Sequence, residues 1–270
     1  MKKFLYIVNP VAGNGRGERS IEVINSYCKT NGINYQIHIT EYPLHATKIA
    51  KENHSDFSHI IAVGGDGTVN EVLNGISLNN RIIFAALQIG TGNDLVKNFN
   101  YSTELIDILE IIHSEEKQNI KEIDIGKVNY TTGNSSDNLE HYFINNLGIG
   151  FDAYVGYLNQ HNKRLKGVAS YVLAVFKALI NYNMVNCEVT FNNTKISGNK
   201  LMLTIGNGIS SGGGFYLTPR AIIDDNLLGT PSCLNIASTE IGSVEDMTAP
   251  NNKAAINGIL IPRLNNEKLL

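Results

Sequence analysis

VGGDGTVNEVLNGI, residues 63 to 76, places three glycines and one carboxylate between an apolar run and an amphipathic segment. An apolar run, a glycine-rich turn and a helix predicted over 68–76 describe one strand–turn–helix step. Two readings of Asp66 stand side by side. It is a cap at the start of the helix, beside Gly67, or it is an acidic group next to bound phosphates.

Working outward, the same alternation repeats. Phe4 to Val8, Asn34 to Thr40, His59 to Val63 and Ile82 to Ile89 read as strands, and Gly17 to Thr30 and His45 to Asn53 read as helices. Strands alternating with helices predict a parallel sheet flanked by helices, with ligands bound beyond the C-terminal ends of its strands. From about Glu122 the pattern changes. IDIGKVNY, HYFINNLGIG, CEVTFNNTKI and KLMLTIGNG read as strands joined by turns, with 131–140 as a hairpin loop and one helix predicted over 167–180. The expected organisation is an α/β domain over 1–124 and a β-rich domain over 125–270.

Composition narrows the function classes. Charged residues make up 17% of the 270 and the formal net charge is −3, which gives no global drive toward nucleic acid. Three scattered cysteines, Cys28, Cys187 and Cys233, read as free thiols rather than a zinc site or disulfide framework. The apolar run after Met1-Lys-Lys ends at Asn9-Pro10, too short for a signal-peptide core or a membrane span, so a cytoplasmic protein is expected.

Each of three strands in the first half runs into a glycine-rich turn. NPVAGNGRG at 9–17 combines Gly13, Gly15 and Gly17 with Arg16 before a helix, a pattern suited to phosphates although it fits neither the dinucleotide fingerprint nor the P-loop. In the second turn, Gly64 and Gly65 allow close backbone approach to a ligand, and Thr68 is a candidate helix cap. Asp66 beside phosphates needs an intervening cation, for which Mg²⁺ is the natural choice. The third, GTGNDL at 90–95, offers Thr91, Asn93 and Asp94 for capping, ribose or metal. Three such turns on one sheet edge point to nucleotide phosphates and a kinase-type reaction.

NPVAG, VGGDGTVNEVLNG, GTGNDL, FINNLGIGFDAYV and GGGFYLTPRA occur in that order, and together they resemble the diacylglycerol kinase catalytic family, in particular its bacterial lipid kinases. The resemblance covers residues 3 to about 228. It implies a Rossmann-like N-terminal domain of the NAD kinase and diacylglycerol kinase type, followed by a β-sandwich-like domain. It implies an ATP-dependent lipid kinase acting with Mg²⁺ on a lipid hydroxyl such as that of diacylglycerol.

By the same resemblance, Asn9, Gly13, Arg16, Gly64, Gly65, Gly67 and Thr68 contact ATP or shape its loop, and Gly90, Thr91, Asn93 and Asp94 complete the nucleotide side. Asp66 supports Mg·ATP at the reacting phosphate. Asp124 is either near the cleft or a strand-end carboxylate facing water. Asp224 and Asp225 match an acidic pair that holds a structural Mg²⁺, or form an Asp-Asp-Asn turn. Asn145, Asn146, Gly148, Gly150 and Asp152 read as further motif residues or as turn and cap chemistry, and His45 as structural. Lys163, Arg164 and Lys166 before the 167–180 helix either meet anionic headgroups or form a solvated face. The expected partner is a lipid at a membrane surface, with peripheral association and no nucleic acid; a homodimer is compatible with it.

Two departures from the family pattern stand out. Gln88 replaces a proline two residues before Gly90, and Leu95-Val96-Lys97 replaces Phe-Ala-Arg. Residues 229–270 also hold no Asp-Gly-Glu stretch, the source of a carboxylate that assists deprotonation of the acceptor, and Glu245 and Asp246 lie in a different context. A nucleotide-binding homologue with impaired turnover is therefore a second reading, and a soluble-substrate kinase of the NAD kinase type a third.

Overall fold

Phe4–Val8 is apolar throughout and buried at every position, and it forms an interior strand, β1, of a mostly parallel sheet. The protein is described by a computed structural model, which covers residues 2–78, 82–99, 104–114, 119–131, 138–161, 168–191 and 194–228. Short strands at 232–234, 254–256, 259–261, 263–264 and 268–269 are described as well. The chain divides into two units, one of residues 1–124, 212–214 and 265–270, the other of residues 125–211 and 215–264.

In the first unit, β1 pairs in parallel with β2 (Tyr35–Ile39) and β3 (His59–Gly64), and β3 pairs in parallel with β4 (Ile83–Gln88). β3 is buried at all its positions, as expected of a parallel strand covered on both faces. β16 (Lys268–Leu269) continues the sheet in parallel to β4, and β5 (Lys121–Glu122) closes it antiparallel to β16. The helices are α1 (Ala12–Thr30), α2 (His45–Asn53), α3 (Asp66–Leu73) and α4 (Leu105–His113). Ile24 and Cys28 of α1 and Leu109 and Ile112 of α4 pack on Tyr6, Val8, Ile61, Val63 and Leu87. α4, a nine-residue helix with apolar residues at 105, 108, 109 and 112, is additional to the three helices that the sequence pattern predicts in this half.

The second unit is antiparallel. One sheet is built from β10 (Thr194–Lys200), β9 (Val185–Phe191), β13 (Ala254–Ile256), β14 (Ile259–Ile261), β6 (Ile125–Thr131) and β15 (Arg263–Leu264), with β7 (Asn138–Phe143) on β6. β6 and β7 pair antiparallel in a register that runs from Gly126 opposite Phe143 to Thr131 opposite Asn138. A second sheet joins β12 (Ser232–Leu234), β11 (Met202–Gly206) and β8 (Asn146–Gly150).

Where the sequence pattern predicts a single helix in this half, the described residues form two, α5 (Phe151–Gln160) and α6 (Val168–Asn181). β8 turns straight into α5 at Gly150, whose φ of +102° lies in the left-handed region that favours glycine. Val155 of α5 and Ala174 and Ala178 of α6 form the core of this helical pair.

Candidate nucleotide site

The three glycine-rich turns all lie in the first unit, directly after β1, β3 and β4. Side chains tie each turn to the others. Asn9 Nδ2 donates to Thr68 Oγ1 at 3.1 Å, joining the first turn to the second. Arg16 Nη2 donates to the Gly90 carbonyl at 2.8 Å and Arg16 Nε to that of Gly13 at 3.2 Å, joining the first to the third. Thr68 is therefore no cap. It is the third residue of α3, buried, and its hydroxyl accepts from Asn9.

Asp66 is the hub. Its Oδ1 accepts from Gln88 Nε2 at 2.7 Å and from the Asp94 amide at 2.8 Å, and its Oδ2 accepts from the Asn93 amide at 2.9 Å. The cap of α3 is Gly65, so the helix-cap reading of Asp66 falls. The expectation of a metal-facing tip also needs sharpening. A carboxylate offers about four lone-pair positions, and three are already taken, two by the third turn and one by Gln88 at the end of β4. Asp66 alone supplies too few free oxygens for a Mg²⁺ shell, which needs ligands from elsewhere, such as phosphates. Among the described residues no group of three or more His, Cys, Asp or Glu is placed to hold a metal ion.

Close approach of backbone to backbone explains the glycines. Gly13 has φ +58°, and a Cβ there would lie 2.0 Å from the Ile89 carbonyl oxygen. A Cβ on Gly90 would lie 2.5 Å from the Gly65 Cα. These positions are glycine because the turns press on one another. Gly67 differs, with open space where a Cβ would stand, so the N-terminus of α3 is open at that point. No side chain caps that helix, leaving N–H groups and the positive end of the dipole for an anion.

Asn93 adds an acceptor. It takes a left-handed φ of +52°, and its Oδ1 is buried without a hydrogen-bond partner. An orphaned acceptor beside an open helix N-terminus suits a ligand that carries both phosphates and hydroxyl or amino donors, as a nucleotide does. Thr91 is exposed on the same turn. Asp94 is buried, its Oδ1 accepting from Lys97 Nζ at 2.8 Å and its Oδ2 from the Gly213 amide at 2.9 Å. Its carboxylate thus holds the turn together.

Two contributors escaped the site reading. Gln88, noted only as a departure, donates to Asp66 and accepts from the Val96 amide at 2.9 Å. Gly213 belongs to the run Gly212–Gly214, whose residues all have positive φ and which lies in the first unit. The glycine triplet itself was the available signal. Asp124 is buried, which removes the reading of a strand-end carboxylate facing water.

Other candidates take part in local hydrogen bonds. Asn146 Nδ2 donates to the Ser210 carbonyl at 2.6 Å, Asn145 Nδ2 donates to the same oxygen, and Asn146 Oδ1 accepts from Thr218 Oγ1 at 3.0 Å. Asp152 lies in the first turn of α5, where burial pushes its carboxyl pKa up and Oδ1 accepts from the Ala153 amide at 2.8 Å. Asp225 Oδ1 accepts from the Leu227 amide at 2.7 Å and Asn226 has φ +60°, the geometry of the Asp-Asp-Asn turn. His45 Nδ1 accepts from the Glu41 amide at the start of α2. Lys163, Arg164, Lys166, Glu245 and Asp246 lie outside the described residues.

Comparison with known proteins gives matches to both halves of the chain. The model of the diacylglycerol kinase catalytic domain matches residues 3–128, and that of the YegS C-terminal NAD kinase beta sandwich-like domain matches residues 145–231. YtlR of Bacillus subtilis is 31% identical over 159 residues, spanning 57% of this chain and 50% of YtlR. This chain therefore matches about half the length of that relative. A diacylglycerol kinase of the same organism is 29% identical over 231 residues, spanning 84% of this chain and 72% of the relative. In fold, the chain matches a diacylglycerol kinase structure from Bacillus anthracis with a TM-score of 0.67 at 22% identity, over 99% of this chain and 96% of that one.

Proposed function

The chain belongs to the diacylglycerol kinase catalytic-domain family, and on that premise we propose that it is an ATP-dependent lipid kinase. The expected acceptor is a lipid hydroxyl, such as that of diacylglycerol. In the transfer, the bond from the γ-phosphorus to the β–γ bridging oxygen breaks and one from the acceptor oxygen to phosphorus forms. ADP leaves, and the hydroxyl proton passes to water. Positioning and charge stabilisation dominate such transfers.

The observation that carries this reading is the cross-linked edge of three turns. The open N-terminus of α3 is suited to the phosphates, Asn93 Oδ1 to a hydroxyl or amino donor on the nucleotide, and exposed Arg16 to further negative charge. Mg²⁺, bound with the nucleotide, would neutralise phosphate charge, and one acceptor position on Asp66 Oδ2 would be available to it. The lipid would be met at a membrane surface. Among the described residues no helix is long and apolar enough to cross a membrane, which fits peripheral contact.

The test is transfer of labelled phosphate from ATP, with Mg²⁺, to a panel of hydroxyl lipids in vesicles. Labelled product with at least one lipid supports the proposal. No label on any lipid, with intact ATP binding, favours the second reading of a nucleotide-binding homologue, which rests on the absence of an Asp-Gly-Glu stretch in 229–270. Label on NAD instead of lipid would move the chain to a soluble-substrate kinase.

A further inference from the structure

α6, VASYVLAVFKALIN, is apolar on two sides. One side holds Ala174 and Ala178, buried against Val155 of α5. The other carries Val172, Phe176, Leu179 and Ile180, at the i, i+4, i+7, i+8 spacing of a single helical face. Those four are 46%, 61%, 57% and 82% exposed. A helix in a water-soluble fold normally turns polar residues outward, and one that is apolar all round is covered on both sides. Single exposed apolar residues need no explanation, but a contiguous face of four large ones does.

Charge selects the cover. α6 contains no acidic residue, and its one charged side chain, Lys177, is exposed on the flank of the apolar face. Over 151–184 the sequence holds four basic residues and one acid, on a chain whose formal charge is −3. A second copy of this face would meet it with charge of like sign. An anionic bilayer offers hydrocarbon to the apolar side chains and negative headgroups to the lysine.

We infer that the Val172–Phe176–Leu179–Ile180 face of α6 is a membrane-docking surface, lying in the interface of a bilayer that contains anionic lipid. This deepens the lipid-kinase proposal and rests on it, since it supplies the place where a water-soluble enzyme meets a bilayer-resident acceptor. Docking by one short face is reversible, because the apolar area that a single helix face inserts is limited.

The chain has no tryptophan, so Phe176→Trp creates a single reporter in the full-length protein. With vesicles of phosphatidylcholine and phosphatidylglycerol its emission shifts to the blue and is quenched by lipids brominated on their acyl chains. Leu179→Glu with Ile180→Glu lowers vesicle affinity about tenfold or more, and Lys177→Gln lowers it about fivefold. Nucleotide affinity stays at the wild-type value in each variant, which shows that the fold is intact. Emission unmoved by vesicles, or a blue shift that grows with protein concentration in their absence, overturns the inference; the latter would make the face a contact between copies. A short-chain diacylglycerol dissolved as monomer separates the two proposals. The α6 double variant still phosphorylates it if only docking is lost. A wild-type chain that phosphorylates neither form refutes the kinase reading and leaves the emission result to stand by itself.

Discussion

The glycine-rich edge of the first unit and the α5–α6 pair of the second treat water in opposite ways. At the edge, polar groups are drawn inward and paired: one carboxylate, Asp66, accepts three hydrogen bonds and fixes the turn that carries Asn93 and Asp94. On α6, apolar side chains face outward with nothing from the described chain over them. On the proposals above, the polar edge with its open helix terminus receives a compact anion and the bare apolar face meets hydrocarbon. A lipid kinase needs both surfaces.

The sharpest way to break this contrast is Asp66→Ala. It leaves the Asn93 and Asp94 amides and the Gln88 amide group without their acceptor. We expect a loss of about 3–5 kcal/mol in the first unit and a fall in nucleotide affinity of at least 100-fold, measured by urea denaturation and by calorimetric ATP titration. Wild-type stability with ATP binding lost would mean that Asp66 acts on the ligand alone and holds no turn.

Next comes the far side of the same sheet, where polar groups are buried without a ligand to serve. The Phe4 ring stacks on His59 and lies against His113, and the Tyr6 hydroxyl is 2.5 Å from His113 Nε2. Burial lowers the pKa of both histidines from about 6.5 to about 4, with nearby Lys2 adding to it. The folded state therefore binds fewer protons than the unfolded chain between those values. This contribution to stability is complete above pH 6.5 and is lost as pH falls toward 4. The urea midpoint should drop across that window, and His59→Phe with His113→Phe should flatten the slope. An unchanged slope in the double variant would assign the acid sensitivity to other groups.

How far the sequence reached can be judged from these residues. The alternation of strands and helices, the edge on which the turns lie and the family were legible because each rests on local pattern: apolar runs, glycines behind strands, motifs in order. The partner of Asp66 was not legible. Both capping and metal binding are local readings of an aspartate at a helix start, while the observed partners lie 22 to 28 residues further on. Gln88 was visible as a departure from proline, but its bridge between Asp66 and Val96 follows from the chain's return path. α5 was missed because FINNLGIGFDAYV reads as strand and turn until Gly150 supplies the bend.

Gln88 sharpens the comparison by a smaller step. Gln88→Ala removes one donor to Asp66 and one acceptor from Val96, an expected cost of about 1–2 kcal/mol with a several-fold weaker ATP affinity. Gln88→Glu, which sets a second carboxylate against Asp66, should be worse than alanine in both measurements. Equal effects of the two would show that Gln88 fills space rather than pairing with Asp66. Smallest of all is the stability change in Leu179→Glu with Ile180→Glu, within about 0.5 kcal/mol per site, because exposed positions hold no folded-state contacts to lose. A large loss would place the α6 face inside a packed interface.

The central claim is that the three turns together are the nucleotide site. Amide hydrogen exchange across 9–17, 63–68 and 88–96, with and without Mg·ATP, tests it most directly. The account predicts added protection in all three segments at once, with α6 unchanged by nucleotide. Protection confined to another part of the chain, or none at saturating Mg·ATP, would contradict it.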